Sequence, residues 1–557
     1  MADPELSAQA HLLRQKLEVE SGLDADTLIA CGRYEFVAQI VEHTVQRTNE
    51  ISRTISDRVD HVILNRMLGI PIFLLVMYLL VMYLMFMFTI NVGGAFIDFF
   101  DILAGTLFVD GVAELLTRVG APDWSVTLLA TGVGGGIQTV ATFIPIVACL
   151  FLFLSVLEDS GYMARAAFVM DRFMRMIGLP GKSFVPLIVG FGCNVPAIMA
   201  TRTLDSQRDR TLTVMMAPFM SCGARLPVYA LFAAAFFPTG GQNLVFALYF
   251  LGLMAAVGTG LLLKVTLLQG KPTPFVMELP PYHLPSFRGI LLRSWHRLHD
   301  FLTEAGQIIV AMVIVLAFLN SWGTDGSFGN EDSDTSVLSE IGRSLTPVFA
   351  PMGIEQDNWP ATVGIFTGVL AKEAVVGTLN ALYADLAAAD QQDETPYSLT
   401  GGITSAFATI GPNLRDGFGM ASDPLGLNIG DVSSPDAAAA TQEVDGRIFG
   451  TMASLFDGRI GAFAYLLMIL LYMPCVATVG AIWRETGWRW AVFASGWTMG
   501  MAYGTAVMFY QVATFARHPV GSSWWIGGIL GVALCLVFAL GLIGRRSNAT
   551  PPPMALR

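Results

Sequence analysis

Cysteines in helix-breaking sequence are the side chains of this chain best suited to chemistry. Cys193 lies in the run GFGCNVPA, Cys222 in PFMSCGARLP and Cys475 in YMPCVAT. Glycine and proline interrupt helices, and non-helical backbone at membrane depth persists only where protein buries it or where it lines a cavity. Thiols at such breaks suit a soft or borderline metal ion. The sequence therefore predicts ligands along a transport path.

Polar residues near the breaks extend the predicted site. Glu373 is the carboxylate of an otherwise apolar stretch, although Lys372 beside it could simply neutralise it. Arg225 is a charge in apolar sequence, and charges inside membrane segments are candidates for function. Thiolates, a carboxylate and backbone carbonyls suit Fe²⁺, Mn²⁺ or Zn²⁺. The predicted metal ligands are Cys193, Cys222, Cys475 and Glu373, and the predicted path or gating residues are Asn194, Pro196, Arg225, Met473 and Pro474.

The elements that must position these residues are those of a polytopic membrane protein. Of the 557 residues, 54% are hydrophobic and only 14% are charged, whereas a soluble domain carries about 25% charged residues. Because about 20 apolar residues span a bilayer as a helix, we predict an all-α fold with roughly eight to ten membrane helices. The shorter stretches 183–200 and 359–383 are predicted to be re-entrant. The candidate spans are 68–90, 124–157, 211–237, 243–268, 301–322, 450–473, 489–515 and 523–544.

Loop charges predict the orientation. Residues 162–182, 202–210 and 264–297 are rich in Lys and Arg, which places them in the cytoplasm by the positive-inside rule. Residues 323–358 and 384–447 are acidic and are predicted to be external. The net charge of −12 does not suggest a nucleic-acid binder.

An internal likeness indicates a duplicated architecture. Residues 160–169 (SGYMARAAFV) resemble residues 367–376 (TGVLAKEAVV) at seven of ten positions. A Cys-bearing break follows each copy, at Cys193 and Cys475, with an Arg nine residues beyond each Cys. Inverted repeats with discontinuous helices are typical of secondary transporters. We therefore predict two inverted repeats that contain broken or re-entrant helices.

Five sequence pieces resemble the membrane part of the bacterial ferrous iron transport protein B (FeoB) family. The resemblance runs from about residue 33 to 540. It implies paired Gate segments, similar to those of nucleoside carriers, and Fe²⁺ uptake across the inner membrane, with the N-terminus in the cytoplasm. The pieces are 60–71 (DHVILNRMLGIP), 190–204 (GFGCNVPAIMATRTL), 218–229 (PFMSCGARLPVY), 368–379 (GVLAKEAVVGTL) and 473–481 (MPCVATVGA).

Members of this family usually begin with a GTP-binding G domain and a helical regulatory subdomain. Here Gly181-Lys182-Ser183 resembles the end of a phosphate-binding loop, but that loop needs a Gly where this chain has Met176. We therefore expect a transporter and not an enzyme, without a permanently bound cofactor, and GTP would act only through a G domain in trans. The resemblance also implies a small cytoplasmic accessory protein and a homo-oligomer.

The predicted domain organisation follows the two repeats. Residues 1–66 are polar, show no signal peptide, and resemble the tail of the regulatory helical subdomain. The further segments are 67–322 (first membrane half with Gate repeat 1), 323–358 (external loop), 359–545 (second membrane half with Gate repeat 2 and the external insertion 384–447) and 546–557 (C-terminal tail).

The leading hypothesis is a ferrous iron importer with a thiol-lined path between the repeats. The alternatives are a carrier of Mn²⁺ or Zn²⁺, a carrier of an organic solute such as a nucleoside, a non-transporting membrane receptor or scaffold, and a redox relay through the cysteines. Cys193→Ser should cripple metal transport but leave organic-solute transport largely intact. Flux through purified protein in liposomes separates the carriers from the receptor.

Overall fold

In the computed structural model the regular secondary structure of the described residues is helical, and no β-sheet forms among them. This confirms the predicted all-α class. Contacts divide the chain into the units Met1–Val62 and Ile63–Arg557, and in the first of these a helix covers Ala25–Thr44. The described residues are 13–14, 17, 25–44, 60, 69–77, 79, 88–237, 240–270, 282, 285–331, 333–372, 374–386, 398–419 and 447–549.

Six of the described helices are long and apolar enough to cross a bilayer. Each overlaps one of the eight predicted spans, which confirms a polytopic membrane protein. The predicted span 489–515 is the continuous 26-residue helix Trp488–Ala513, which is not among the six. The predicted span 68–90 lies partly outside the described residues and begins with the helix Gly69–Met77. The six helices are Asp123–Asp159, Gln207–Phe236, Gly241–Val265, Phe287–Ser321, Gly458–Thr486 and Pro519–Arg545.

Shorter helices flank these spans. The predicted insertion 384–447 contains one of them, Leu399–Gly419, and part of its sequence lies outside the described residues. The others are Ile97–Ala104, Gly111–Val119, Tyr162–Ile177, Val337–Phe349 and Arg447–Leu455.

The two longest helices, Asp123–Asp159 and Phe287–Ser321, pack side by side in opposite directions. A Cβ on Gly136 would lie 3.0 Å from the Cα of Val310, so this position must be small for the backbones to approach, as is common between membrane helices. At the other end of the pair, Arg297 Nη2 donates to Glu158 Oε2 at 2.6 Å. This helix pair forms one wall of the central region.

Residues 184–200 form a helical hairpin, the first hairpin, as predicted for the re-entrant stretch 183–200. Its helices are Phe184–Gly192 and Asn194–Ala200. Cys193 between them is extended, with φ −152° and ψ 135°, and ends the first helix. Lys182 Nζ lies 3.3 Å from Asp205 Oδ2, so the chain returns to the end where it started.

Residues 359–386 form the second hairpin. Its helices are Trp359–Leu370 and Ala374–Leu386, and Ala371 after the first helix is extended, with φ −141° and ψ 110°. The Tyr383 hydroxyl donates to Asn358 Oδ1 at 2.6 Å, which brings the end of the hairpin back to its beginning.

Each hairpin is followed by an interrupted helix. The first broken helix, 207–236, is helical at Gln207–Met216 and Leu226–Phe236, and the second, 458–486, at Gly458–Leu471 and Val476–Thr486. They run in opposite directions, because Arg459 at the start of the second donates to the Phe236 carbonyl at the end of the first, at 3.0 Å.

Candidate functional site

The four helix breaks lie together in the centre of the bundle. A Cβ on Gly252 would lie 2.7 Å from the Phe219 carbonyl oxygen and 3.4 Å from Leu470 Cδ1. Both broken helices therefore pack against the same turn of the helix Gly241–Val265. A Cβ on Gly223 would lie 3.8 Å from the Gly192 carbonyl oxygen. The break of the first hairpin therefore faces the break of the first broken helix.

Cys193 and Cys475 pack against one apolar cluster in the centre of the bundle. Both are half-buried, and Cys475 Sγ lies 3.1 Å from Thr478 Oγ1. Each thiol packs on the same buried cluster, although the two residues are 282 positions apart in the chain (475 − 193). The buried members of that cluster are Val147, Phe151, Leu154, Val189, Val195, Ala197, Leu298, Phe301, Ala305 and Ala477.

Cys222 lies at the break of the first broken helix and is 8% exposed. A Cβ on Gly223, the next residue, would lie 3.8 Å from the carbonyl oxygen of Gly192, the residue before Cys193, so the break that carries the third predicted thiol adjoins the Cys193 break. Among the described residues, no three His, Cys, Asp or Glu side chains converge as a metal site. Glu373 lies outside the described residues, and the predicted ligand set stays a prediction.

Asn194 joins the first hairpin break to the first broken helix. It is 3% exposed, and its amide nitrogen donates to Ala217 O at 3.0 Å and to Gly190 O at 3.2 Å in the orientation that avoids facing oxygen with oxygen. Pro196 lies in the first turn of Asn194–Ala200, where helix N–H groups have no intrahelical acceptor. Both residues thus shape the break.

Two buried cations lie at the breaks. Arg225 is 1% exposed and Lys372 is 3% exposed. Arg225 Nη2 donates to the Pro218 carbonyl at 3.2 Å, while its Nε and Nη1 have no hydrogen-bond partner within the described part of the chain. The Lys372 ammonium lies 4.7 Å from the centre of the Tyr472 ring. Fixed positive charge beside thiols opposes tight retention of a divalent cation.

Tyr472, Met473 and Pro474 form the non-helical segment before Cys475. Tyr472 ends the helix Gly458–Leu471 in an extended conformation, with ψ 173°. Pro474 has no N–H to donate, so the helix cannot continue through it. Met473 is half-buried and Pro474 is buried, and their role as path or gating residues stays a prediction.

Sequence reasoning missed Tyr472 and Lys372 as central residues. From the sequence, Lys372 is expected only to neutralise Glu373. Tyr472 carries a usable signal, because Tyr465 lies seven residues before it and both face the glycine-containing helix Trp359–Leu370. Aromatic hydroxyls at heptad spacing opposite glycines indicate close helix packing with directed hydrogen bonds.

The order of hairpins and broken helices along the chain indicates a different equivalence of the helix breaks from the one that the likeness of residues 160–169 and 367–376 implies. In residues 160–169 the turn falls at Gly161, which has φ 78°, whereas in residues 367–376 it falls at Ala371. By element order, Cys193 corresponds to Ala371, and Cys222 corresponds to Cys475. The likeness of the two decapeptides therefore does not mark equivalent backbone positions.

A cleft of about 450 Å³ lies at the open end of the second hairpin. Its lining includes Arg343, Trp359 and Leu386, with Asp357 as a carboxylate. No thiol lines it, so it is separate from the cysteine-bearing breaks.

The comparisons with known proteins agree with this architecture. The Gate family (nucleoside recognition) matches residues 140–236 and 302–489, which contain both hairpins and both broken helices. The ferrous iron transport protein B C-terminus family matches residues 245–297. No solved structure matches the chain.

Two relatives cover almost the whole chain. The Fe(2+) transporter FeoB of Legionella pneumophila is 49% identical over 533 residues, which are 95% of this chain and 68% of that protein. The Fe(2+) transporter FeoB of Escherichia coli strain K12 is 44% identical over 543 residues, 97% of this chain and 68% of that protein. Because relatives that are 44–49% identical match almost the whole chain, and the Gate family covers both hairpins and both broken helices, the chain belongs to the ferrous iron transport protein B (FeoB) family.

Proposed function

We propose that this chain carries Fe²⁺ across the bacterial cytoplasmic membrane, between two inverted units that each consist of a hairpin and a broken helix. The observation that carries the proposal is the position of Cys193, Cys222 and Cys475, each at a helix break in the centre of the bundle. The printed names of the relatives, which call them Fe(2+) transporters, support the same cargo.

The proposed route uses the thiols as temporary replacements for hydration water. Thiolates favour borderline ions such as Fe²⁺ over hard ions such as Mg²⁺. The buried charges of Arg225 and Lys372 keep the occupancy brief, since like charges in a low-dielectric centre repel. Glu373 is proposed as a carboxylate partner in the same path.

The opposite directions of the two broken helices favour a carrier that works by alternating access. In inverted-repeat transporters, the substrate site lies where discontinuous helices from both repeats meet. We assign the end of the bundle that carries the basic segment 202–210 to the cytoplasm. A G domain, a small accessory protein and self-association would act on this core from outside the path.

A carrier of an organic solute is the second candidate. The printed description of the Gate family as nucleoside recognition favours it. An organic solute would bind through shape and hydrogen bonds, and removal of one thiol sulfur would leave most of that binding intact.

The proposal is tested by Fe²⁺ uptake into anaerobic proteoliposomes. The wild-type chain is compared with Cys193→Ser and with Cys535→Ser, a thiol that is exposed on the last helix, Pro519–Ala549. Mn²⁺, Zn²⁺ and a nucleoside serve as competitors. We expect Fe²⁺ flux that Cys193→Ser abolishes and Cys535→Ser leaves unchanged. Flux that is equal in all three proteins, or nucleoside uptake without Fe²⁺ uptake, would overturn the proposal.

A further inference from the structure

Two tyrosine hydroxyls join the second broken helix to the second hairpin in one register. Tyr465 donates to the Ala361 carbonyl at 3.1 Å, and Tyr472 donates to the Gly368 carbonyl at 2.8 Å. Both tyrosines are 1% exposed or less. Donors and acceptors are each seven residues apart, so two turns of one helix match two turns of the other.

Glycines make these contacts possible. A Cβ on Gly364 would lie 2.8 Å from the Tyr465 hydroxyl, and a Cβ on Gly368 would collide with the Tyr472 hydroxyl. Real Cβ atoms do not approach oxygen so closely, so a side chain at either position would push the tyrosine away. The close approach is therefore built into the sequence of Trp359–Leu370.

The two hydrogen bonds differ in where they lie. Ala361 is in the first turn of Trp359–Leu370, whereas Gly368 is in its last turn, where carbonyls have no helical donor. The Tyr472 hydroxyl supplies the missing donor at the break of the second hairpin. Its ring lies 4.7 Å from the Lys372 ammonium at the same break.

Tyr472 is also the third residue before Cys475 and ends the helix that leads to it. Its hydroxyl and ring are thus attached to one break, while its backbone directs the segment that carries the thiol. Tyr465 makes the same kind of bond ten positions from Cys475 (475 − 465), on regular helix.

We propose that Tyr472 is a positioning residue, which holds the Cys475 thiol in register with the second hairpin through its bond to the Gly368 carbonyl. The inference rests on the proposed function, because a thiol needs to be positioned only if it binds the ion. Tyr465 makes the equivalent bond without that role.

The test compares Tyr472→Phe with Tyr465→Phe, each of which removes one hydroxyl and keeps the ring. Co²⁺ is the probe ion, since its thiolate complexes absorb light, and the full-length protein is titrated in detergent. We expect Tyr472→Phe to weaken Co²⁺–thiolate binding about five- to tenfold, the effect of one hydrogen bond of ordinary net strength. Tyr465→Phe should lower the melting temperature similarly and leave the Co²⁺ affinity unchanged.

A second pair of variants covers the case in which Tyr472→Phe does not fold. Gly368→Ala displaces the Tyr472 hydroxyl and should weaken Co²⁺ binding, whereas Gly364→Ala displaces the Tyr465 hydroxyl and should not. Equal Co²⁺ affinities within both pairs would show that Tyr472 is merely structural, and would overturn the inference.

Cys475→Ser separates this failure from failure of the proposed function. If Cys475→Ser removes part of the thiolate absorption while both tyrosine variants bind Co²⁺ normally, only the positioning role is wrong. If Cys475→Ser changes neither Co²⁺ absorption nor Fe²⁺ flux, Cys475 is not a ligand, and both proposals fail at this residue.

Discussion

Arg202 Nε lies 2.5 Å from Glu485 Oε1, although the two residues are 283 positions apart in the chain. Arg484 Nη1 lies 3.1 Å from Glu304 Oε2, and Arg202 Nη2 lies 4.0 Å from the same carboxylate oxygen. The ion pairs join the end of the first hairpin to the end of the second broken helix and to Phe287–Ser321. Cys193 and Cys475 lie at the opposite ends of the two short helices that these pairs connect.

These ion pairs also show at which end of the bundle Arg484 lies. The basic loops predict a cytoplasmic position for Arg484, whereas a strict inverted repeat of Arg202 would place it outside. The structure puts both arginines at one end, because the first broken helix begins at that end and the second broken helix finishes there. Near the end of the last helix, a Cβ on Gly544 would collide with the Thr266 carbonyl, so this part of the helix lies beside the end of Gly241–Val265.

Reversal of the Arg202 charge should open this end of the bundle. Arg202→Glu places three carboxylates together, and we expect Cys475 to be alkylated several-fold faster by a membrane-impermeant maleimide. The double variant Arg202→Glu/Glu485→Arg should restore the slow rate, with a coupling energy of about 1 kcal/mol. Arg118→Glu, which reverses one member of an exposed pair with Glu114, is the control. An unchanged alkylation rate in Arg202→Glu would contradict a closing role.

Asn194→Asp should destabilise the first hairpin. The substitution replaces an amide nitrogen that donates to two carbonyls with a carboxylate oxygen that faces both of them, and a lost buried donor costs about 1–3 kcal/mol or more. Thermal unfolding in detergent measures the effect. Asn243→Asp, at an exposed position in the first turn of Gly241–Val265, should be neutral or slightly stabilising because helix N-termini favour negative charge.

Gly252→Ala should disturb the packing of Gly241–Val265 against the two broken helices and lower the melting temperature. Its Cβ would lie 2.7 Å from the Phe219 carbonyl oxygen, and overpacking of this kind typically costs about 1–3 kcal/mol. Gly258→Ala on the same helix meets no atom within 4 Å and should be neutral or stabilising. Equal melting temperatures for the two variants would show that the structure around Gly252 accommodates a methyl group without loss of stability, which would contradict the prediction.

The ion pair between Asp457 and Arg517 should make a small contribution to the free energy of unfolding that is lost in acid. Arg517 Nη1 lies 2.6 Å from Asp457 Oδ2, and this hydrogen bond, with a second from the Tyr510 hydroxyl, lowers the pKa of Asp457 below its ordinary value. A lowered folded-state pKa stabilises the protein above the ordinary Asp pKa of about 3.9, and the contribution is lost as the pH falls through the lower folded value.

The check is the melting temperature of wild type and Asp457→Asn as a function of pH. We expect wild type to be more stable near neutral pH by less than about 1 kcal/mol, since the pair is partly exposed, and the difference to vanish in acid. Arg517→Gln should reproduce the loss. A difference that persists at the lowest pH would assign it to packing instead.

Much of the fold is local and could be predicted from the sequence. Apolar runs of membrane-spanning length predict helices such as Gly241–Val265, because length and hydropathy act within one segment. Helix breakers likewise identify the interruptions at Cys193, Cys222 and Cys475, since glycine and proline act on their own turn. The class of protein and its candidate thiols therefore follow from the sequence by itself.

Which break faces which was decided only by tertiary structure. The approach of the Cys193 break to the Cys222 break, the bond from Tyr472 to Gly368, and the ion pair from Arg202 to Glu485 join residues that are not neighbours in sequence. Such contacts depend on how helices pack at close range, where one Cβ at Gly368 would exclude the bond. A local pattern such as the spacing of Tyr465 and Tyr472 marks residues that can make such contacts, but it does not identify their partners, because each contact needs both partners to be placed first.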